Sequence, residues 1–222
     1  MGIIEFIYKN SNRCLDLTLE HMWMVLISVF IATIIAVPVG IIITRNERIA
    51  KKVINTANIF MTVPSIALFG LMLPVLSVFG FGLGKVPAVI ALVLYSQLPI
   101  IRNTYTGIKN VPPSLIEAGR GIGMGRWSRM RQIEFPMAVP VIIAGLRTAA
   151  VMNIGIAAIA AYIGSGGLGV FIQQGIASVY NEMILAGAVL VAFLAIFVDL
   201  VMALIERILT PKGLLLSRRQ LK

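Results

Sequence analysis

The chain has 222 residues, of which 59% are hydrophobic and only 13% are charged, and its mean hydropathy is +0.95. Soluble domains contain about half apolar and about a quarter charged residues, so this composition indicates a polytopic membrane protein without a separate soluble catalytic domain. The net charge of +10 does not indicate a nucleic-acid partner, because most basic residues flank apolar segments, as membrane topology requires. The single cysteine, Cys14, excludes an intrachain disulfide.

Long apolar segments predict an all-α fold with five transmembrane helices, since each segment is long enough to cross about 30 Å of hydrocarbon. The segments cover residues 22–43, 53–79, 86–108, 138–163 and 183–208. Pro64 and Pro74 interrupt the second and Pro99 the third, which predicts kinks. A cleaved signal peptide is not expected, because the first segment is too long and its basic cluster follows it.

Basic residues predict the orientation of the chain in the membrane. One side of the predicted topology holds only Lys9, Arg13 and Lys85, and Arg147 lies within the fourth span. The other side holds the remaining fifteen: Arg45, Arg48, Lys51, Lys52, Arg102, Lys109, Arg120, Arg126, Arg129, Arg131, Arg207, Lys212, Arg218, Arg219 and Lys222. The positive-inside rule therefore places the amino terminus outside and the carboxyl terminus in the cytoplasm, in the plasma membrane of a prokaryote.

Three regions follow from this topology. Residues 1–20 form an external segment, for which a short interfacial helix and a frayed tail are both open. Residues 21–210 form the transmembrane domain, including a cytoplasmic connection at 109–136, and residues 211–222 form a cytoplasmic tail. His21 lies at a membrane edge and is expected to be interfacial rather than catalytic.

A spaced motif stands out in the cytoplasmic connection, which is polar and strongly basic. Its residues are Glu117, Ala118, Gly119, Gly123, Ile133, Phe135 and Pro136. The motif resembles the signature of permease subunits of binding-protein-dependent ABC importers: Glu-Ala-Ala, three residues, Gly, nine residues, Ile-x-Leu-Pro. Five of the seven positions are identical. Gly119 in place of alanine and Phe135 in place of leucine keep the size class of the side chain.

Two further segments resemble the osmoprotectant branch of this family, which imports glycine betaine, carnitine or choline. They are residues 99–108, PIIRNTYTGI, and residues 163–169, IGSGGLG. The resemblance covers the chain from the first span onward and implies the ABC importer permease fold. It does not identify the substrate among betaines and related compounds.

The resemblance also implies a mechanism and partners. The connection would fold as two short helices that dock in a cleft of a cytoplasmic ATPase, with Glu117 acting as an early-turn acid or as a partner for a basic residue of that ATPase. Gly119 and Gly123 would form a small-residue face, and Pro136 would end the connection. ATP and magnesium would bind to the ATPase, since the chain has no Walker A motif and no cofactor of its own is expected. The other implied partners are a second copy or a homologous permease, an external substrate-binding protein and the lipid bilayer.

Three alternatives are weighed against this resemblance. A stand-alone channel or structural membrane protein would explain the spans but not the motif, and an importer permease for another small solute would explain both. An intramembrane enzyme would need a nucleophile and a base, which the spans do not offer. The spans also contain few aromatic residues suited to caging a quaternary ammonium, so tight recognition is expected in a separate binding protein.

Gly164, Gly166 and Gly169 have the spacing G-x-G-x-x-G, and Gly167 lies among them. A dinucleotide site would need this motif in a βαβ unit, whereas here it follows a predicted membrane helix on the external side. We therefore expect a flexible external turn near an outer gate.

Arg147 and Asp199 are ionisable residues within predicted spans. The fourth and fifth spans run in opposite directions, so the two side chains lie at a similar depth. Intramembrane charges usually face the protein interior and pair. A structural ion pair is the leading hypothesis, and a role in the substrate path is the alternative.

Overall fold

The computed structural model describes residues 2–210, and the predicted tail at 211–222 lies outside the described residues. The described residues fold into ten α-helices joined by short turns: α1 (Ile3–Lys9), α2 (Ser11–Ile43), α3 (Glu47–Thr62), α4 (Ser65–Ser77), α5 (Lys85–Lys109), α6 (Pro113–Gly121), α7 (Arg126–Arg129), α8 (Phe135–Ala160), α9 (Gly169–Ala177) and α10 (Asn181–Leu209). A π-helical turn, Met130–Glu134, joins α7 to α8, and a 3₁₀ turn, Ala161–Ile163, follows α8. The predicted all-α membrane fold is confirmed.

Four continuous helical stretches of the described residues are long and apolar enough to cross a membrane. They are Ser11–Ile43, Lys85–Lys109, Arg126–Ile163 and Asn181–Leu209. The first stretch, α2, begins at Ser11, whereas the apolar segment was predicted to begin at residue 22. No break therefore separates the expected external segment at 1–20 from the first span. The preceding residues form α1, which resolves the choice between a short helix and a frayed tail in favour of the helix.

The second predicted span is a bent pair of helices rather than one kinked helix. α3 and α4 meet at an angle of 96° around Val63 and Pro64, and the five-span count holds only if this pair is one span. Val63 is extended because proline disfavours the helical conformation in the residue before it. The break leaves the Val63 carbonyl without a helical partner, and the Tyr95 hydroxyl of α5 donates a hydrogen bond to it at 2.6 Å. Internal satisfaction of this kind is required wherever a helix breaks within a membrane.

α5 lies at the centre of the bundle, packed between α2 on one side and α8 on another, and α10 packs on the far side of α8. Glycines allow these helices to approach closely. A Cβ on Gly40 of α2 would lie 2.6 Å from Cβ of Thr104, and a Cβ on Gly145 of α8 would lie 2.9 Å from the carbonyl oxygen of Pro99. Small residues at helix contacts are the usual means of tight packing in membranes, where no hydrophobic driving force operates between helices.

Polar side chains are buried at the α5–α8 contact. The Asn153 amide donates a hydrogen bond to Oγ of Ser96 at 2.8 Å, and both side chains are fully buried. Oδ1 of Asn153 has no hydrogen-bond partner among the described residues. α5 and α8 are therefore in direct contact at this level.

The two ends of the bundle differ in charge. The end that we call the basic end is formed by the turn at 44–47 between α2 and α3 and by residues 110–134 of the connection at 109–136. The opposite end is formed by the turns at 78–84 and 161–168 and by α1 and α9. Asn46 begins α3 at the basic end, since its side chain accepts hydrogen bonds from the backbone N–H groups of Arg48 and Ile49.

Candidate functional site

The motif connection at the basic end begins with α6. Pro113 opens this helix at its first position, where a missing N–H costs nothing. Glu117 is therefore the fifth residue of α6, beyond the first turn, and its expected role as an early-turn acid is wrong. Its side chain is exposed and makes no ion pair with any residue in 2–210.

Gly119 and Ile133, from the two halves of the motif, are in contact. Gly119 is buried, and a Cβ at this position would lie 2.9 Å from Cδ1 of Ile133 and 3.4 Å from Sδ of Met124. Gly119, which stands where the family signature has alanine, thus allows α6 to pack against the helical stretch that contains Ile133. The wide spacing of the motif is explained by this contact, because the halves are adjacent only after the chain has turned back.

Gly123 lies in that turn. Its φ of +80° is in the left-handed region, which glycine adopts without the steric cost that a Cβ imposes. Gly119 is on α6 and Gly123 is beyond its end at Gly121, so the expected small-residue face shared by the two glycines does not exist. Their roles are separate: Gly119 permits a close contact, and Gly123 permits the reversal of the chain.

The second half of the connection is not a separate short helix. α7 continues through the π-turn into α8, so one helical stretch runs from Arg126 to Ile163. Pro136 was expected to end the connection, but it lies in the first turn of α8 within this continuous helix. A proline inside a helix removes one backbone hydrogen bond and crowds the carbonyl four residues earlier, and the wider π-turn just before it relieves that crowding.

An ion pair spans the π-turn. Nε of Arg129 donates a hydrogen bond to Oε1 of Glu134 at 2.9 Å, and both side chains are only 12% exposed. Residues five apart are on different faces of an α-helix but nearly above one another in a π-turn, whose bonds join residues five apart. Glu134 occupies the variable position of the Ile-x-Leu-Pro element, so the motif gave no signal for this pair.

Arg147 of α8 and Asp199 of α10 form a bidentate ion pair. Nε of Arg147 lies 2.5 Å from Oδ1 of Asp199, and Nη2 lies 2.6 Å from Oδ2. Nη1 of Arg147 also lies 3.8 Å from Oε2 of Glu206, two helical turns along α10. The side chains are about one third exposed beside a cavity of about 480 Å³. The geometry joins α8 to α10 within the membrane.

The glycine segment 164–169 is partly buried: Gly164 is exposed and Gly166 half-buried, whereas Ser165, Gly167, Leu168 and Gly169 are buried. Gly164, Gly166 and Gly167 all have positive φ angles. A Cβ on Gly169 would overlap the backbone carbonyl of Ala158. The segment before Gly164 is the 3₁₀ turn after α8, so the glycine spacing does not lie in a βαβ unit. The segment is not an isolated turn, because residues distant in sequence hydrogen-bond to its backbone.

Glu20 and His21 of α2 are those residues. Oε2 of Glu20 accepts a hydrogen bond from the Gly167 N–H at 3.2 Å, while Oε1 lies 2.9 Å from Nζ of Lys85. Nδ1 of His21 accepts from the Leu168 N–H at 3.2 Å. Because Nδ1 accepts, Nε2 carries the proton and donates to a backbone carbonyl of α8 at 3.0 Å. His21 is fully buried among protein atoms.

Comparison with known proteins agrees with this geometry. Residues 36–212 match the family described as binding-protein-dependent transport system inner membrane component. The osmoprotectant import permease protein OsmW of Salmonella typhimurium is 49% identical over 96% of this chain and 100% of its own length. The glycine betaine/carnitine/choline transport system permease protein OpuCB of Bacillus subtilis is 46% identical over 96% of this chain and 95% of its own length.

Solved structures show the same architecture. A chain of the MetNI methionine ABC transporter, in an inward facing conformation, superposes with a TM-score of 0.77 at 26% identity, covering 86% of this chain and 94% of that one. An amino acid ABC transporter chain superposes with a TM-score of 0.76 at 19% identity, covering 93% and 98%, a likeness in fold alone.

A helical membrane bundle that carries this motif connection is the permease subunit of an ABC importer. The chain belongs to the family of binding-protein-dependent transport system inner membrane components, and it is a multi-pass protein of a prokaryotic plasma membrane.

Proposed function

We propose that the chain is the membrane subunit of an ATP-driven importer whose substrate is a small quaternary-ammonium osmoprotectant. The relatives named for osmoprotectants, glycine betaine, carnitine and choline span nearly its whole length, which supports this substrate class. The packed motif connection is the single observation that carries the transport role, since neither a channel nor a structural membrane protein requires it.

The connection at 109–136 is proposed as the site where a cytoplasmic ATPase docks. Glu117 supports this role because its carboxylate is exposed on α6 and has no partner among the described residues. The contact of Gly119 with Ile133 joins α6 to the helix that becomes the fourth span, and the Arg129–Glu134 pair braces that helix across its π-turn. A force applied to α6 would therefore be transmitted to α8, which suits a subunit driven by a partner's ATP and magnesium rather than by an ATPase site of its own.

The orientation and the remaining partners follow from the same arrangement. Positive charges at the basic end support a cytoplasmic location for that end. Because α5 and α8 are in close contact, the solute path is proposed to lie between this chain and a second copy or a homologous permease. A substrate-binding protein would deliver the solute at the opposite end, where Glu20, Lys85 and the glycine segment lie.

Two further roles are proposed for residues singled out in the sequence. The segment at 164–169, which includes Gly164, Gly166, Gly167 and Gly169, is proposed as part of an outer gate because it links α8 to α9 while bonded to α2. Arg147 and Asp199 are proposed as a structural pair. Their bidentate contact and the proximity of Glu206 favour a structural role, in which the pair joins α8 to α10, over a role in the substrate path.

Uptake measurements test the proposed function. The chain is expressed with its ATPase and its binding protein in cells that lack other betaine, carnitine and choline uptake, and the entry of labelled glycine betaine, carnitine, choline and methionine is compared. ATP-dependent entry of at least one quaternary ammonium, competed by unlabelled compound of the same class, is expected. ATP-dependent entry of methionine alone would reject the substrate class, and entry without ATP or ATPase would reject the importer.

A further inference from the structure

A cavity of about 470 Å³ lies at the basic end, between the end of α2 and the second half of the motif connection. Its volume is within the range of small-ligand pockets. The cavity is lined by Thr44, Arg45, Arg120, Arg126, Trp127, Arg129, Met130 and Glu134. None of the arginines that line the cavity is a motif position. The cavity is also not required for the proposed docking role of Glu117 or for the passage of a cationic solute.

The charge of the cavity is strongly positive. Four of its eight lining residues are arginines and one is a carboxylate, and Glu134 is already paired with Arg129. Arg45, Arg120 and Arg126 have no carboxylate partner within residues 2–210. Three unpaired guanidinium groups around one cavity repel one another, so an anion bound among them would be stabilised.

Guanidinium geometry narrows the class of anion. The planar group of arginine donates paired hydrogen bonds to the oxygen atoms of a phosphate or carboxylate, and it is the preferred group for phosphate recognition. Arg45 comes from the turn after α2, while Arg120 and Arg126 come from either side of the Gly123 turn, so the donors converge from separate segments. A phosphate with several oxygens can bond to more than one of them.

The position of the cavity indicates where the phosphate comes from. Thr44 and Arg45 directly follow Ile43, the last residue of the first candidate membrane-spanning helix, so this wall lies at the end where that helix would leave the hydrocarbon. Trp127 is 74% exposed beside it, and tryptophan is enriched at the membrane–water interface. Basic pockets between membrane helices on the cytoplasmic side bind anionic lipid headgroups.

We propose that this arginine cavity binds the phosphate of an anionic phospholipid headgroup. A bound headgroup would bridge the turn after α2 and the α6–α7 turn, and would join the connection to the inner leaflet through Arg45, Arg120 and Arg126. The lipid would stabilise one position of the connection relative to the first span, in addition to the contacts inside the motif.

Native mass spectrometry of the detergent-solubilised permease–ATPase assembly tests the proposal. The delipidated assembly is titrated with phosphatidylglycerol, with phosphatidylcholine and with inorganic phosphate. The Arg120→Gln/Arg126→Gln double variant removes two donors. Arg131→Gln is the matched control, because Arg131 is an exposed arginine in the π-turn that follows α7 but does not line the cavity. Arg45→Gln is a second test variant outside the motif connection, for use if the double variant does not assemble.

Phosphatidylglycerol is expected to bind in preference to phosphatidylcholine. At about a fivefold loss per arginine near a membrane surface, Arg45→Gln should bind about fivefold more weakly and the double variant about thirtyfold more weakly, with Arg131→Gln unchanged. Arginine-dependent binding of inorganic phosphate without a lipid preference would support the phosphate site and assign it to a free anion. Equal loss in Arg131→Gln, or binding to the permease alone but not to the assembly, would overturn the proposal; the latter would mean that the ATPase covers the cavity. Uptake of the solute is measured separately, so failure here leaves the proposed function standing.

Discussion

Arg129 and Glu134 are joined by an ion pair across one π-helical turn, immediately before the fourth span begins. The pair is almost wholly buried, and it holds together the short helical stretch against which α6 packs through Gly119. Under the proposed coupling role, a force on α6 would pass through this stretch to α8. The ion pair and the helix contact would then brace the junction between the connection and the membrane bundle.

Breaking this pair should uncouple the connection from the bundle. Glu134→Gln leaves the buried Arg129 without its carboxylate, and we expect solute uptake to fall several-fold while membrane insertion is retained. A neutral substitution at the exposed Gln132, Gln132→Ala, is the matched control in the same turn. Uptake per inserted molecule is the measurement. Partial recovery in Arg129→Glu/Glu134→Arg would support the pair, and equal losses in Glu134→Gln and Gln132→Ala would contradict it.

Glu117 is expected to be needed for docking and not for folding. Glu117→Lys reverses an exposed charge that no described residue balances, so the chain should insert normally while ATPase co-purification and uptake are lost. Asp16→Lys makes the same charge change at the opposite end of the bundle, on exposed surface, and should keep the ATPase. Normal co-purification and uptake in Glu117→Lys would show that docking occurs elsewhere.

The left-handed conformation of Gly123 predicts a local strain effect. An alanine there costs about 1–2 kcal/mol in the present turn, so the α6–α7 turn should shift and uptake should decrease. Gly121→Ala is the control, since Gly121 has a helical conformation and a Cβ would meet nothing within 4 Å. Initial uptake rates at matched expression distinguish the two, and similar rates would mean that the turn is not under conformational constraint during transport.

The Arg147–Asp199 pair should contribute to stability. Arg147→Ala or Asp199→Ala leaves one intramembrane charge without its principal partner, and we expect a lower Tm of the solubilised chain in each case. Arg147→Asp/Asp199→Arg restores opposite charges and should recover part of the loss. A double variant that is no more stable than either single variant would argue against pairing. Loss of uptake at unchanged Tm would instead favour the alternative role in the substrate path.

Substitution of Gly169 by alanine is expected to lower stability more than Gly123→Ala does. In Gly169→Ala the new Cβ would overlap the backbone of α8 at Ala158, which cannot withdraw as a flexible side chain can, so a loss of about 3 kcal/mol is expected. Gly155→Ala places the same methyl group on the exposed face of α8, where nothing lies within 4 Å. Fluorescence-detected size exclusion after heating compares the two. Equal heat resistance would show that the glycine segment can move away from α8.

The sequence by itself determined the features that depend only on residues near one another in the chain. Hydropathy over some twenty residues located the membrane segments, and the spacing from Glu117 to Pro136 identified the motif connection, because both are properties of neighbouring residues in the chain. The similar depth of Arg147 and Asp199 followed from counting residues along two antiparallel spans. Pro64 marked a disturbance of the second span, but not the 96° bend between the two helices.

Only the tertiary structure decided which distant groups meet. The motif predicts no contact between Gly119 and Ile133 and no pairing of Arg129 with Glu134, because the first needs the chain to reverse at Gly123 and the second needs a π-turn. The glycine segment is bonded to α2 because Glu20 and His21, far earlier in the chain, accept hydrogen bonds from its backbone. Such contacts depend on how helices pack, and packing is a property of the whole bundle rather than of any one segment.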